Sequence, residues 1–173
     1  HATRLDPHYA NAHYNKGLTF HEQKEISKAI TSYLITLKID NTHTKAYINL
    51  GEAYREMQNY NNALCAFQLA FKLQPNNPIL LNNIGCVYQD IGNIDRSLAY
   101  FRHAIKLQPN FVESVNNLGV SLHKKGDYEA AQAAFQKVIQ LNANFAPGQY
   151  NLGNVYREMG KFELALSSYL TAV

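Results

Sequence analysis

Residues 46–77 read AYINLGEAYREMQNYNNALCAFQLAFKLQPNN, and the rest of the chain repeats this stretch. When the sequence is laid against itself at an offset of 34 residues, columns of like residues come into line. One column holds the glycines Gly17, Gly51, Gly85, Gly119 and Gly153. Another holds the aromatic residues Tyr33, Phe67, Phe101, Phe135 and Tyr169. A fixed period of this length indicates a stacked array of repeats.

The repeats fall at 10–43, 44–77, 78–111, 112–145 and 146–173, after a remnant at 1–9 that fits the end of a truncated repeat. Numbered from 1 to 34 within each repeat, apolar residues favour positions 4, 7, 8 and 11 and then positions 17, 20, 24, 27 and 28. Both sets have helical spacing, and polar pairs such as Gly92-Asn93 separate them. Each repeat is therefore predicted to be helix, turn, helix, in one all-α solenoid domain. The last repeat is truncated, so both ends resemble cuts through a longer array.

Small residues predict how the helices pack. Glycine inside a helix costs about 1 kcal/mol relative to alanine, so five glycines at position 8 need a packing reason. We expect glycine at position 8 and alanine or serine at position 20 to let the two helices of a repeat approach closely. Ala70 and Ala104 at position 27 would let the next repeat dock. One repeat cannot bury its apolar face alone, but a stack of repeats can.

The composition excludes several classes of protein. The formal net charge of +3 is too small and too dispersed to indicate nucleic-acid binding. No apolar run indicates a membrane span or a signal peptide. Cys65 and Cys86 lie in different repeats and are expected to be reduced packing residues. These features predict an intracellular protein, in the cytoplasm or the nucleus.

The sequence also lacks the motifs of common enzymes. It has no P-loop, no dinucleotide-binding glycine motif and no nucleophile elbow. His21-Glu22 begins like a zinc-protease motif, but Glu25 stands where its second histidine would be. We therefore expect no catalytic residue, metal or cofactor in this segment.

Asparagine occupies position 6 of every repeat: Asn15, Asn49, Asn83, Asn117 and Asn151. On a helix, positions 2, 6, 9 and 13 point away from the apolar face, so these side chains should not pack within their own repeat. An amide has both a donor and an acceptor, and a row of amides could pair with the backbone of an extended peptide. We call this hypothesis the asparagine ladder. The alternative is that these asparagines only cap or solvate that face.

Further candidate peptide contacts stand at positions 5 and 9: Tyr14, Asn82, Asn116, Tyr150 and Asn154. Tyr14 and Tyr150 could contact a ligand's side chains or could simply pack.

The pattern resembles the tetratricopeptide repeat (TPR) family over essentially the whole chain. The resemblance depends on residues that recur downstream: Leu50, Gly51, Tyr54, Ala63, Phe67, Ala70 and Pro75. Departures include His13 and Lys16 in the first repeat, and Thr36 and Val138 at position 27. The resemblance implies a right-handed superhelix of about five 34-residue repeats, with the first helices lining a concave groove.

Three functions follow from this resemblance. The first is a protein-interaction scaffold that binds an extended peptide in the groove, with no enzymatic activity of its own. The alternative is the substrate-recognition arm of a larger enzyme, because the asparagines are similar to those of the TPR arm of O-GlcNAc transferase. The third is self-association through the truncated ends.

Overall fold

The computed structural model describes residues 7–172, and the side chains of residues 9–172. That part of the chain folds into helices and turns without a strand. The helices are α1 (Pro7–Glu22), α2 (Ile26–Ile39), α3 (Thr44–Glu56), α4 (Tyr60–Leu73), α5 (Pro78–Asp90), α6 (Ile94–Leu107), α7 (Val112–Lys125), α8 (Tyr128–Leu141), α9 (Ala146–Glu158) and α10 (Phe162–Thr171). The chain is thus an all-α solenoid of about five helix-turn-helix repeats, as the 34-residue period predicts.

The first helices of the later repeats begin where the period places them, at Thr44, Pro78, Val112 and Ala146. The first repeat differs, because α1 already begins at Pro7. Residues 7–9, which the sequence analysis assigned to the end of a truncated repeat, therefore belong to the first helix. Proline suits this place, since the first turn of a helix has no partner for its backbone N–H groups. Residues 1–6 of the predicted remnant lie outside the described residues.

Each repeat is closed by contact between its glycine and its aromatic ring, as expected. A Cβ atom added to Gly51 would lie 2.5 Å from the ring of Phe67. The same approach, at 2.5–2.7 Å, occurs in the other repeats. Phe67 is completely buried. The glycine therefore provides the space that the ring fills.

The junctions between repeats explain one departure from the TPR pattern. Position 27 holds Val138 in the fourth repeat, and the third position of the next repeat is Gly148. A Cβ atom on Gly148 would lie only 2.6 Å from Cγ1 of Val138. At an earlier junction the sizes are reversed, with Ala70 at position 27 and the fully buried Leu80 at the third position of the next repeat. At these two junctions a small residue at one position accompanies a large residue at the other.

The turn within each repeat has a residue in the left-handed region at position 15. Glycine occupies it in three repeats, as Gly92, Gly126 and Gly160 with φ of 72–84°. Lys24 and Gln58 adopt similar angles of 62° and 57° in the first two repeats. The next residue is the N-cap of the second helix, and Asn59, Asn93 and Asp127 each accept a backbone N–H there.

The chain divides into two compact units, one ending at Asn83 and the other beginning at Ile84 within α5. We call them unit 1 and unit 2. The core of unit 1 includes Tyr33, Leu50 and Ala66. The core of unit 2 includes Leu98, Phe135 and Leu152. Over the described residues, no helix is both long enough and apolar enough to cross a membrane.

Candidate functional site

The asparagines of position 6 lie on one side of the first helices, which we call the asparagine face. Asn49, Asn83, Asn117 and Asn151 are half-buried, and Asn15 is exposed. On the same side, the residues at positions 2 and 13 are exposed, including Lys45 and Glu56 in α3. Each unit thus has a polar face on which the asparagines are the partly enclosed residues.

In unit 1, two of these amides form hydrogen bonds to the preceding repeat. Asn49 donates through Nδ2 to Oη of Tyr14, at 3.1 Å. Asn83 donates through Nδ2 to Oε1 of Glu52, at 2.5 Å. A carboxylate only accepts, so this second bond fixes which end of the Asn83 amide points towards Glu52.

Unit 2 has the same arrangement with different acceptors. Asn117 donates to Sγ of Cys86 at 3.4 Å, and Asn151 donates to Oδ1 of Asn116 at 3.0 Å. From the second repeat onwards, every position-6 asparagine therefore holds a side chain at position 5 or position 9 of the repeat before it. The asparagines link neighbouring first helices, a role that neither the ladder hypothesis nor its alternative included.

A signal for these links was present in the sequence. Positions 5 and 9 vary from repeat to repeat, but each pair in the first four repeats contains a side-chain acceptor. In three of the pairs the other member is aliphatic: Leu18, Ile48 and Val120. The pattern is not visible when position 5 or position 9 is compared alone across the repeats, because each varies in residue type. Considered as pairs, the residues indicate a single acceptor at three of the four junctions, and in the third repeat both Asn82 and Cys86 could accept.

Burial and a short polar chain set the electrostatics of unit 1. Nε2 of His21 lies 2.9 Å from Oε1 of Glu56. On the other side of the same ring, Nδ1 of His21 lies 3.5 Å from Oη of Tyr33. Burial raises the pKa of Tyr33 to about 12 and also raises the pKa of Tyr14. The pKa of Glu52 is raised by burial, against the opposing effect of its bond from Asn83. Tyr14, Tyr33 and Glu52 therefore favour their neutral forms more than exposed residues of the same type would.

The structure separates the other candidate contacts. Asn82 and Asn116 are buried, at 8% and 9% exposure, and Oδ1 of Asn116 already accepts from Asn151. Little of either side chain is therefore accessible, and contact of Asn82 and Asn116 with a peptide stays a prediction. Asn154 is half-buried and accepts the hydroxyl of Tyr169 at 2.8 Å.

The two candidate tyrosines have different surroundings. Tyr14 is half-buried, with its ring 4.7 Å from the imidazole of His43. Tyr150 is 56% exposed, and its ring lies 5.7 Å from that of Tyr169. Tyr14 is therefore engaged in packing, whereas Tyr150 remains accessible. Among residues 9–172, no group of three or more His, Cys, Asp or Glu side chains could hold a metal ion.

Four family models match the chain, and all describe the same repeat. The model of YpiA-like, C-terminal tetratricopeptide repeats matches residues 45–110. Two tetratricopeptide repeat models match residues 100–133 and 150–173, and a TPR repeat model matches residues 121–160. Together these models assign residues 45–173 to the tetratricopeptide repeat family. No curated protein matches the chain significantly.

Solved structures of TPR proteins have the same fold. MamA is 20% identical with a TM-score of 0.78, and the match covers 90% of this chain and 91% of MamA. PilF of Pseudomonas aeruginosa is 18% identical with a TM-score of 0.86, covering 95% and 75% respectively. YrrB, described as a TPR protein with an unusual peptide-binding site, is 24% identical with a TM-score of 0.70, covering 92% and 82%. At these identities the likeness concerns the fold alone.

Proposed function

We propose that this protein is an interaction scaffold and that the asparagine face of each unit binds a short extended peptide segment. In unit 1 the contacts would come from Asn15, Asn49 and Asn83, and in unit 2 from Asn117 and Asn151. Membership of the TPR family supports a role in protein interaction. The observation that carries the finer proposal is the hydrogen bonding of the asparagine amides.

Each link to the preceding repeat uses one of the two N–H groups of the asparagine amide, which also has a carbonyl oxygen that can accept. Among the described residues, Oδ1 of Asn49 and both Oδ1 and the second N–H of Asn83 form no further hydrogen bond, whereas the Asn49 amide also interacts with the hydroxyl of Tyr33. The link holds the amide in one orientation, so the remaining donor and acceptor are pre-positioned. An extended backbone presents N–H and C=O groups in alternation, and each amide can satisfy one of each. Pre-positioning lowers the entropy lost when a ligand binds.

The magnitudes indicate weak binding by the backbone alone. A net hydrogen bond contributes about 1 kcal/mol. Five or six such bonds from the three asparagines of unit 1 would contribute roughly 5–6 kcal/mol before the cost of ordering the peptide. Such a total corresponds to a dissociation constant of roughly 0.04–0.2 mM, which the ordering cost weakens further. Tighter binding requires side-chain contacts, for which the exposed Tyr150 is available in unit 2.

The test begins with peptides selected from a random display library on the wild-type protein. Their affinity is then measured for the double variant Asn49→Ala/Asn83→Ala. The matched control is Asn61→Ala, because Asn61 is an exposed asparagine on α4, outside the asparagine face. We expect the double variant to bind at least tenfold more weakly and the control to bind normally. Unchanged affinity of the double variant, shown by circular dichroism to be folded, would contradict the proposal.

The hypothesis of a substrate-recognition arm, like that of O-GlcNAc transferase, uses the same face in the same way and stays a prediction. Self-association through the ends also stays a prediction. Its expected location in unit 2 is the outer side of α10, where Phe162, Leu166 and Leu170 are 60–70% exposed. Sedimentation velocity over a hundredfold dilution tests it, and Leu166→Glu/Leu170→Glu should abolish any dimer.

A further inference from the structure

Unit 1 has an apolar groove between its two second helices, on the side away from the asparagines. Leu34 and Lys38 of α2 form one wall, and Cys65 and Leu69 of α4 form the other. Tyr47 and Tyr54 of α3 form part of the floor of this groove of about 400 Å³. We call it the outer groove. Asn49 points to the opposite side of α3, because it lies two residues from Tyr47 on a helix with 3.6 residues per turn.

The walls of the outer groove are apolar where the same surface of unit 2 is charged. Leu34 is 47% exposed and Leu69 is 39% exposed. The residues 68 positions later, two repeats on, are Arg102 and Lys137, both exposed. Exposed leucines facing one another across a groove are typical of an interaction surface. Repeat architecture does not require them, since unit 2 builds the same helices with charged residues there.

Cys65 also lies in this groove. Neither cysteine forms a disulfide, and the thiol of Cys65 is exposed whereas that of Cys86 is buried. The expectation that both cysteines pack in the interior is therefore wrong for Cys65. The difference in exposure makes Cys65 a reporter for occupation of the groove, with Cys86 as an internal reference.

The charged residues within the two helices that form the walls of the outer groove all have one sign. Helices α2 and α4 contain three lysines and no aspartate or glutamate. Lys28 is paired with Glu25, but Lys38 and Lys72 have no ion pair among the described residues. Lys38 lies on the groove wall, and Lys72 follows Leu69 by three residues on the same side of α4. Asp40, just beyond α2, accepts hydrogen bonds from its neighbour Thr42.

We infer that the outer groove binds an amphipathic helix of a partner protein, with an apolar stripe and acidic flanks. The apolar stripe would lie against Leu34 and Leu69, as in other complexes of a helix in a groove. The acidic flanks would approach Lys38 and Lys72. A second copy of this surface would bring lysines against lysines, and a flat membrane would not fill a groove. This site is distinct from the asparagine face in both location and ligand conformation.

The test uses two synthetic helical peptides of about 18 residues, which is about five turns. Both carry leucines at i, i+3, i+4 and i+7 spacing; one has glutamates at the remaining positions and the other has lysines. The readout is the rate at which N-ethylmaleimide alkylates Cys65 in the full chain, followed by mass spectrometry. We expect the acidic peptide to slow alkylation of Cys65 at least tenfold and the basic peptide to leave it unchanged.

Other outcomes overturn the inference. Equal protection by both peptides, or by neither, contradicts the acidic helical partner. Protection by vesicles of anionic lipid but not by the acidic peptide assigns the surface to membranes instead. If Cys65 becomes more protected as the protein concentration rises, without any peptide, the outer groove binds a second copy of the chain instead.

Unit 2 supplies the matched variant. Leu34→Arg with Leu69→Lys gives unit 1 the residues that stand at 102 and 137, and both sites are exposed. We expect the acidic peptide no longer to protect Cys65 in this variant, while its melting temperature stays unchanged. Lys38→Glu with Lys72→Glu should also abolish protection, and Asn61→Ala, at an exposed site of α4 outside the groove lining, should preserve it. Protection that persists in either groove variant, or disappears in Asn61→Ala, contradicts the inference.

Discussion

Asn49 and Tyr14 are separated by 35 residues of sequence and by 3.1 Å of space. Their bond belongs to a series that joins each first helix to the one before it. The chemistry of the acceptor changes along the series, from a phenol to a carboxylate, a thiol and an amide. What stays constant is the donor, so asparagine at position 6 has a structural role in every junction described.

The bond from Asn49 should contribute measurably to stability. Tyr14→Phe removes only the hydroxyl, and we expect the free energy of unfolding to fall by about 1 kcal/mol. Tyr47→Phe is the control, since Tyr47 in the same unit makes no hydrogen bond through its hydroxyl to a described residue. Urea unfolding followed by circular dichroism measures both. If Tyr14→Phe is as stable as Tyr47→Phe, the bond does not hold the junction.

Glu52 should make stability depend on pH. Burial raises its pKa above the ordinary value of 4.5, so the folded protein binds this proton more tightly than the unfolded chain does. The contribution of Glu52 is therefore most favourable below pH 4.5 and becomes less favourable as pH rises towards the folded-state pKa. Glu52→Gln keeps an acceptor for Asn83 but cannot ionise. We expect this variant to gain stability relative to wild type between pH 4 and pH 7, in paired thermal melts.

The opposite trend, with the wild type gaining on Glu52→Gln as pH rises, would mean that the ionised carboxylate is stabilised in the fold. In that case the bond from Asn83, rather than burial, would dominate the environment of Glu52.

At the level of single residues, sequence periodicity located the asparagines because they recur at a fixed position. It did not locate their acceptors, because those alternate between two positions and differ in chemistry. It predicted Asn82 and Asn116 as peptide contacts, and the structure leaves only 8% and 9% of these residues exposed. Position 5 lies between the asparagine face and the neighbouring repeat. Helical geometry alone does not decide which of the two such a residue meets.

The helical elements were more predictable than the contacts between them. Apolar spacing gave the pairs of helices, and the polar breaks gave the turns. The turn geometry could not be inferred in the first two repeats, because Lys24 and Gln58 occupy a position that is glycine in the others. In both turns, backbone hydrogen bonds such as those of Gln58 N–H to Arg55 O and Asn59 N–H to Tyr54 O accompany a conformation that residues with a Cβ rarely adopt.

Gln58→Gly should stabilise the turn between α3 and α4. A left-handed conformation costs a residue with a Cβ roughly 1–2 kcal/mol, and part of this is offset by the greater freedom of glycine in the unfolded chain. We expect a net gain of about 0.5–1 kcal/mol in chemical denaturation. Gly92→Ala is the reverse experiment, and we expect it to lower stability. Nothing lies within 4 Å of the added Cβ, so any loss of stability must come from the backbone conformation. A loss of stability in Gln58→Gly would show that its side chain contributes more than the strain costs.

Helix α10 lacks the N-cap that its counterpart α8 has. Asp127 accepts the backbone N–H of Ala130, whereas Lys161 at the matching place makes no such bond. We expect Lys161→Asp to raise the free energy of unfolding by about 1 kcal/mol. Lys161→Ala separates the gain of a cap from the loss of a positive charge at a helix N-terminus. Equal effects of the two substitutions would mean that no cap forms.

At the scale of the whole molecule, the 34-residue period predicts the all-α solenoid, and the family models agree with it. Periodicity describes what the repeats share and says little about where they differ. The outer groove arises from a difference, because leucines replace the charged residues that unit 2 has at the same places. The pairing of Val138 with Gly148 is a difference of the same kind. Functional surfaces of a repeat protein are to be sought in such departures.

The most direct test follows the side-chain amides of the asparagines themselves. Two-dimensional ¹H–¹⁵N spectra are recorded while a library-selected peptide is titrated into the labelled protein. We predict that the Nδ2 resonances of Asn49 and Asn83 shift in proportion to occupancy, while those of Asn61 and Asn62 on α4 do not. Saturating peptide that leaves Asn49 and Asn83 unmoved would contradict peptide binding by the asparagine face and leave these residues their structural role alone.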